Sequence, residues 1–289
     1  MSVYIARSYA KINLGLFIKN RLPNGYHDIE TGFTFIDWSD RLEVSKADKT
    51  TIETNDESLP TGKQNLIIKA IHAFNSFFGY SDYFHIKLQK NIPAGAGLGG
   101  GSSNAAVMLL ILNKHYGNPA SEEQLVSIGS ALGADVPVFL KAQTAIGTGT
   151  GTELNYLPIQ PDTFIITVWP EIHSNTAEAY QFCEPLGEPA VPLDELLTET
   201  PVDEWGYLLR NDLEPAVIPR YPEIGNLKDQ FYDSGAIYAA MSGSGSAVFG
   251  LFEQEFVAKE CYQYLISLGY KANLTQPGFQ PDHNVFLKA

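Results

Sequence analysis

Between Pro93 and Asn104 the chain packs five glycines, Gly95, Gly97, Gly99, Gly100 and Gly101, and the pair Ser102-Ser103, ahead of a long apolar run. Glycine lets the main chain pass close to a ligand, and a helix starting near Ser102 aims unpaired amides and its positive dipole end at the same spot. That chemistry suits a polyphosphate. Two more glycine segments, Gly147 to Gly151 and Met241 to Ala247, stand more than 40 residues from this one and from each other. Lys11 and Asn13 share one strand face, because they alternate with Ile12, Leu14, Leu16 and Ile18 on the other. Asp135 follows Gly133, which reads as the stop of a helix. Singly, these features read as a linker, a hairpin turn and solvated charges. Together they supply phosphate clamps, a cation and a carboxylate, the set that phosphoryl transfer needs.

Gly95-Ala96-Gly97-Leu98-Gly99-Gly100 also satisfies the spacing of a dinucleotide-binding fingerprint. That unit requires a buried parallel strand before the turn and an acidic residue ending a second strand about 20 positions on. Here the preceding strand alternates and Glu122 falls at a helix start. No Gly-Lys-Ser/Thr follows the glycines, and the protein-kinase HRD and DFG signatures are missing.

The elements that must hold these residues can be read from periodicity. After the Lys11 strand and the turn Pro23-Asn24-Gly25, strand-like pieces run from Thr31 to Trp38, Arg41 to Lys46 and Thr51 to Thr54. Leu66, Ile67, Ala70, Ile71, Phe74, Phe77 and Phe78 follow helical spacing, with Asn65 as cap and Gly79 as stop. Tyr83 to Lys90 alternates and feeds the glycine segment. The helix Ala105 to His115 is apolar nearly all round, which marks it as central and buried. Ser121 and Gln124 form a capping box. Beyond Leu157-Pro158 the chain restarts with the strand Phe164 to Val168. A Pro/Glu-rich loop region covers Glu184 to Pro201, and then come strand, glycine turn, strand Ala247 to Phe252 and an amphipathic helix Glu253 to Leu268. An α+β protein of two domains is expected, residues 1–157 and 158–289.

The 289 residues are 44% hydrophobic, enough for two cores, and the formal charge of −14 argues against a nucleic-acid surface. A small charged substrate remains compatible, since long-range fields are screened beyond about 8 Å. Cys183 and Cys261 lack ligand spacing, so they are expected as buried free thiols rather than a disulfide or zinc site. The first residues lack the apolar core and cleavage site of a signal peptide, and no 18-residue uncharged apolar run occurs. A soluble, cytoplasmic protein is expected, with no membrane partner.

On these residues the chain resembles the superfamily of galactokinase, homoserine kinase, mevalonate kinase and phosphomevalonate kinase. Pro93 to Ser103 is similar to its second motif. Within it, Ala10-Lys11-Ile12-Asn13-Leu14, Asn24-Gly25-Tyr26-His27, Ala96 to Ala106 and Leu132-Gly133-Ala134-Asp135-Val136-Pro137 resemble the branch whose acceptor is a methylerythritol tagged with cytidine diphosphate, in non-mevalonate isoprenoid synthesis. The likeness extends to Asn211-Asp212-Leu213 and Met241 to Gly245 and is weakest from about 183 to 205. Asn20-Arg21-Leu22-Pro23 departs from the family's Gly-Arg-Arg-x-Asp run, and Thr150 and Thr152 stand near a common Arg-Gly-Glu.

The resemblance implies a ribosomal protein S5 domain 2-like N-terminal domain and a ferredoxin-like C-terminal domain, with the site in the cleft between them. It implies ATP and Mg²⁺, with the nucleotide held by Asn65, Leu66, Pro93, Gly95, Gly97, Leu98, Gly99, Gly100, Gly101, Ser102 and Ser103. Lys11 and Asp135 would be catalytic, and Ser103 is the candidate metal contact. Asn13, Tyr26, His27 and Tyr180 would bind the acceptor, the two tyrosines stacking on the cytosine and His27 hydrogen-bonding it. An aspartate side chain titrates ordinarily near about 3.9 and is a weak base, which fits a reaction that demands alignment more than early deprotonation. The protein would act as a monomer or weak homodimer. A homoserine or mevalonate kinase would have no use for Tyr26-His27, and a non-catalytic nucleotide binder would need neither Lys11 nor Asp135.

Overall fold

The computed structural model describes residues 2–282 and 284–288. Two long strands, β1 (Val3–Arg21) and β2 (His27–Ala47), pair antiparallel and join through the turn at Pro23-Asn24-Gly25. They are followed by β3 (Thr51–Thr54), α1 (Leu66–Phe78), β4 (Tyr83–Gln89), α2 (Gly100–His115), α3 (Glu122–Leu132), α4 (Val136–Lys141) and the hairpin β5 (Ala145–Thr148) and β6 (Glu153–Tyr156). The first sheet has the order β11-β1-β2-β4-β3, with β5 on β2 and β6 on β5. The chain then enters a second sheet, ordered β10-β7-β9-β8, through β7 (Phe164–Trp169). Helices α5 (Thr176–Phe182), α6 (Leu193–Glu199), α7 (Trp205–Leu208), α8 (Glu214–Val217) and α9 (Pro222–Asp233) precede β8 (Tyr238–Met241) and β9 (Val248–Phe252). Then come α10 (Glu255–Ser267) and β10 (Lys271–Thr275), and β11 (Phe286–Lys288) returns to the first sheet beside β1.

Local signals act as expected where they concern caps and alternation. Asn65 Oδ1 accepts from Ile67 N at 2.9 Å, and Gly79 ends α1 in the left-handed region at φ 75°. Ser121 and Gln124 complete a capping box. Phe84, Ile86 and Leu88 face inward from β4 and pack with α1 and α2 in one core. Helix α2 is buried on almost every side, as its composition demands.

Four features differ from the sequence reading. The pieces at 31–38 and 41–46 form one strand, because Asp40 is fully buried and hydrogen-bonded rather than marking a break. Helix α2 starts at Gly100, so its first turn is itself glycine-rich. Asp135 is not only beyond α3 but stands at the N-terminal boundary of a further helix, α4. The Pro/Glu-rich region contains α6, whose Leu193, Leu196 and Leu197 are buried against the first sheet.

The expected apolar face of β1 is also interrupted. The register slips between Asn13 and Gly15, a bulge that leaves Leu14 without a partner on β2. Ile12, Leu14 and then Phe17 pack in the core shared by the two sheets. Leu16 and Ile18 join the core of the second sheet instead, and Leu16 lines the same cavity as Lys11 and Asn13. One inserted residue therefore lets β1 serve two cores and a cleft.

Helix α6 locks this arrangement. Leu193 N donates to Glu30 Oε1 at 2.9 Å, and a Cβ at Gly32 would lie 2.9 Å from Leu197 Cδ1. Leu197→Ala opens a cavity under β2 and is expected to lower unfolding free energy by about 2–5 kcal/mol. Urea denaturation of the variant beside wild type measures it, and an unchanged midpoint would show that α6 does not support the sheet.

Candidate active site

The cradle is shaped by backbone that only glycine adopts easily. Gly97 has φ +77°, and a Cβ there would lie 2.1 Å from Ser242 O. Gly99 has φ +68°, and its Cβ would meet the Phe139 ring at 2.5 Å. The close approach at Gly97 is the seam between the two sheets: Ala247 N donates to Ala96 O at 3.0 Å and Ser242 Oγ to Gly97 O at 3.0 Å. Asn211 Nδ2 holds the Ser242-Gly243 turn by donating to Met241 O at 2.7 Å and Gly243 O at 2.8 Å. Helix α2 has Gly99 as its cap residue with no side-chain cap and no acidic residue in its first turn. The protein leaves its positive end uncompensated, as an anion site requires.

Lys11 stands beside this seam and is 3% exposed. Its Nζ donates to Asn13 Oδ1 at 2.6 Å and to Gly97 O at 3.0 Å, and lies 3.9 Å from Asp135 Oδ2. Burial pulls its pKa down from the ordinary lysine value, and the Asp135 carboxylate opposes that shift. Asn13 Nδ2 donates to Thr31 Oγ1 at 2.8 Å, and Thr31 Oγ1 to Gly15 O at 2.6 Å, so the pair's geometry is fixed from behind. Asp135 makes no capping bond to α4, which leaves its carboxylate for the cleft.

A cavity of 850 Å³ is lined by Lys11, Asn13, Asp135, Gly95, Gly97 and Gly99, and also by Tyr26, His27 and Tyr180. The His27 and Tyr180 rings lie 5.4 Å apart, tilted by 31°, while Tyr26 is 66% exposed and open to a planar ligand. Burial, followed by the charge of Arg21, lowers the His27 pKa below 6.5. Burial, followed by Asp135, pushes the Tyr180 phenol up. Cys183 is half-buried rather than buried, with Sγ 3.8 Å from His27 Nε2, while Cys261 is buried and free as expected.

The remaining candidates lie outside that cavity. Leu98 and Pro93 are buried, and Leu98 anchors the cradle in the shared core. Gly100 is buried against Lys90 and Ile92, while Gly101 is exposed, with Leu66 Cδ1 3.7 Å from where its Cβ would be. Ser102 is half-buried in the first turn of α2. Ser103 is fully buried, and its Oγ has no hydrogen-bond partner. Asn65 spends its side chain on the α1 cap and on Pro60 O at 2.8 Å. Thr31 and Thr176 were not signalled by sequence: both line the cavity, Thr31 also holds Asn13, and Thr176 shares a 2.7 Å hydrogen bond with Ser244 of the third glycine segment. Among the described residues no cluster of three or more His, Cys, Asp or Glu could hold a metal ion, and no helix is long and apolar enough to cross a membrane.

Comparison with known proteins gives one family along the chain. The GHMP kinases N terminal domain matches residues 65–143 and the GHMP kinases C terminal domain matches residues 195–271. The 4-diphosphocytidyl-2-C-methyl-D-erythritol kinase of Pelodictyon phaeoclathratiforme is 40% identical over 284 residues, covering 96% of this chain and 99% of its own. The kinase of the same name from Chloroherpeton thalassium is 41% identical over 280 residues, covering 94% and 97%. A crystal structure of 4-(cytidine 5'-diphospho)-2C-methyl-D-erythritol kinase superposes with a TM-score of 0.80 at 30% identity, covering 94% of this chain and 98% of that one. Homoserine kinase from Cytophaga hutchinsonii shares the fold, with a TM-score of 0.71 at 18% identity, covering 99% and 97%.

His27 carries a pH signature. Its folded pKa lies below 6.5, so between the two values the unfolded chain binds more protons and stability rises with pH. That contribution is complete above the unfolded pKa and is lost as pH falls toward the folded one. Denaturation at about pH 7.5 and about pH 5.5 should show a smaller acid-side loss in His27→Gln than in wild type. Identical losses would mean that His27 is not held neutral by the fold.

Proposed function

The chain belongs to the GHMP kinase family, among its 4-diphosphocytidyl-2-C-methyl-D-erythritol kinases, and we propose that it transfers the γ-phosphate of ATP to the 2-hydroxyl of that cytidine-tagged alcohol, a step of non-mevalonate isoprenoid precursor synthesis. The observation that carries this reading is that one cavity is lined by Gly95, Gly97 and Gly99 of the cradle, the Lys11–Asn13–Asp135 group and the Tyr26–His27–Tyr180 group together.

The phosphates of ATP would lie over Gly97 to Ser103 against the end of α2, with the adenine toward Asn65 and Leu66. Lys11 and Asp135 are 3.9 Å apart, longer than a direct charge-assisted hydrogen bond, so a hydroxyl on the cavity side can bridge the two. Lys11 and Asn13 orient that hydroxyl. Its oxygen forms a bond to the γ-phosphorus as the bond from that phosphorus to the β,γ-bridging oxygen breaks, ADP leaves, and Asp135 accepts the proton. Because the transition state is loose, alignment supplies most of the acceleration, and Lys11 contributes positive charge at the γ-phosphate. Ser103 Oγ, buried without a partner, suits a phosphate oxygen or the Mg²⁺ that accompanies ATP, and that ion offsets phosphate charge when bound. Tyr26 and Tyr180 offer faces for the cytosine, and His27 offers a ring nitrogen for its edge. We further infer a monomer or weak homodimer that acts in the cytoplasm.

A coupled ADP-release assay with the cytidine diphosphate methylerythritol, homoserine and mevalonate in parallel tests the reading. Turnover should appear with the first alone, and turnover with either of the others instead would replace it. Asp135→Asn should lower kcat about a hundredfold or more with both substrate affinities retained. Near wild-type turnover in that variant removes Asp135 from the mechanism. Tyr26→Ala should raise KM for the cytidine substrate about tenfold and leave KM for ATP unchanged, whereas equal effects would contradict stacking.

A further inference from the structure

Behind the cradle, and outside the cavity it lines, lies a fully buried carboxylate. Asp40 sits in β2 just past the bulge that leaves Asp37 and Trp38 unpaired with β1. Its Oδ1 accepts from Asn91 N at 2.7 Å and Ile92 N at 2.8 Å, and its Oδ2 from Lys90 Nζ at 2.8 Å and Asn104 Nδ2 at 2.9 Å. Asn104 Nδ2 also donates to Ser8 Oγ on β1 at 2.6 Å, and Lys90 Nζ also donates to Ile92 O. Residues 90–92 enter the glycine segment, and Asn104 lies in the second turn of α2, which leaves it. One carboxylate therefore ties both flanks of the cradle to the sheet. The fit is tight, since a Cβ on Gly100 would lie 3.0 Å from Lys90 Nζ and 3.0 Å from Ile92 Cγ2.

A buried ion pair is seldom a net gain over apolar residues of the same volume, because desolvation offsets the attraction. What four donors on one carboxylate do supply is a fixed position. The geometry points to Asp40 as the positioning residue of the phosphate cradle: through Asn91, Ile92 and Asn104 it sets the spacing between the chain entering the cradle and α2 leaving it, and so sets affinity for the triphosphate without touching it. The inference rests on the reading above that the cradle holds the phosphates of ATP. Of the residues read as binding the acceptor, Tyr26 and His27 lie at the β1–β2 turn, far along β2 from Asp40, and Tyr180 lies on α5, so none of the three is bonded to this tether.

Asp40→Asn keeps the shape and an oxygen for Asn91 and Ile92 but can turn an amide toward Lys90 and Asn104, donor against donor. KM for ATP should rise about tenfold or more, while KM for the cytidine substrate stays within about twofold. Adding Asn104→Asp to Asp40→Asn restores a carboxylate on the opposite side of the same contact, where it accepts from the new amide and from Ser8 Oγ. KM for ATP should then return most of the way. A general loss of structure would raise both KM values in step with a fall in melting temperature and would not be rescued, and that result, or an unchanged KM for ATP, overturns the inference. Should Asp40→Asn not fold, Asn104→Ala removes only the α2 tether, and the same split between the two KM values is required of it. A wild-type protein that ATP neither stabilises against heat nor supplies with phosphate would overturn the reading of the cradle itself, a result distinct from a failure at position 40.

Discussion

There is no room for a side chain at Gly97. Its α-carbon faces Ser242 O so closely that a Cβ would lie 2.1 Å away, and its carbonyl accepts from both Lys11 Nζ and Ser242 Oγ. This contact joins the two sheets, seats the buried Lys11 and fixes the floor of the cleft in a single step. The cradle is therefore not a loop laid over a finished scaffold. It is the seam of that scaffold, and the Ser242–Ser246 turn, held by Asn211, forms its other lip.

Two lysines are buried on either side of the seam, and their surroundings separate their roles. Lys90 is matched by a carboxylate at 2.8 Å and is closed off from the cavity. Lys11 has two neutral acceptors, and its carboxylate partner is 3.9 Å away and 40% exposed. Desolvation lowers the pKa of both, but only at Lys11 does the compensating charge sit across an open gap. A buried cation left short of partners is costly unless a ligand completes its set. That imbalance belongs at a site whose substrate carries the missing oxygens.

Much of this was legible in the residue pattern, and what escaped it has a common cause. The α1 cap at Asn65, the capping box at Ser121, the alternation of β4 and the buried α2 are set by neighbours within a few positions, and sequence displays them. The bulges at Asn13/Gly15 and Tyr9/Ala10 are set by pairing with β2, so the even face of β1 looks continuous in sequence and is not in space. The pairing of Asp40 with Lys90 leaves no local signal, because 50 residues separate the two partners. Helix α6 was hidden by flanking prolines, since Pro192 and Pro201 bound it rather than break it. Lys11, Asp135 and Gly97 were legible for a different reason: their residue types are ones a phosphoryl-transfer site uses, and the fold brings them together.

The chain carries a formal charge of −14, yet its site must receive a polyanion. Among the described residues lining the cavity the only lysine or arginine side chains are Lys11 and Arg21, against the single carboxylate of Asp135. Long-range attraction cannot be the means of binding, since the field of the whole protein is unfavourable and screened within about 8 Å. On the proposed function, recognition falls to groups that act at contact distance: the first amides of α2, the glycine backbone and a lysine already stripped of water. Such groups demand placement to within a fraction of an ångström, because amide dipoles weaken steeply with distance and angle. An acidic protein that binds phosphate by dipoles thus has to invest in rigidity behind the site, and the network on Asp40 and the seam at Gly97 are where this chain does so.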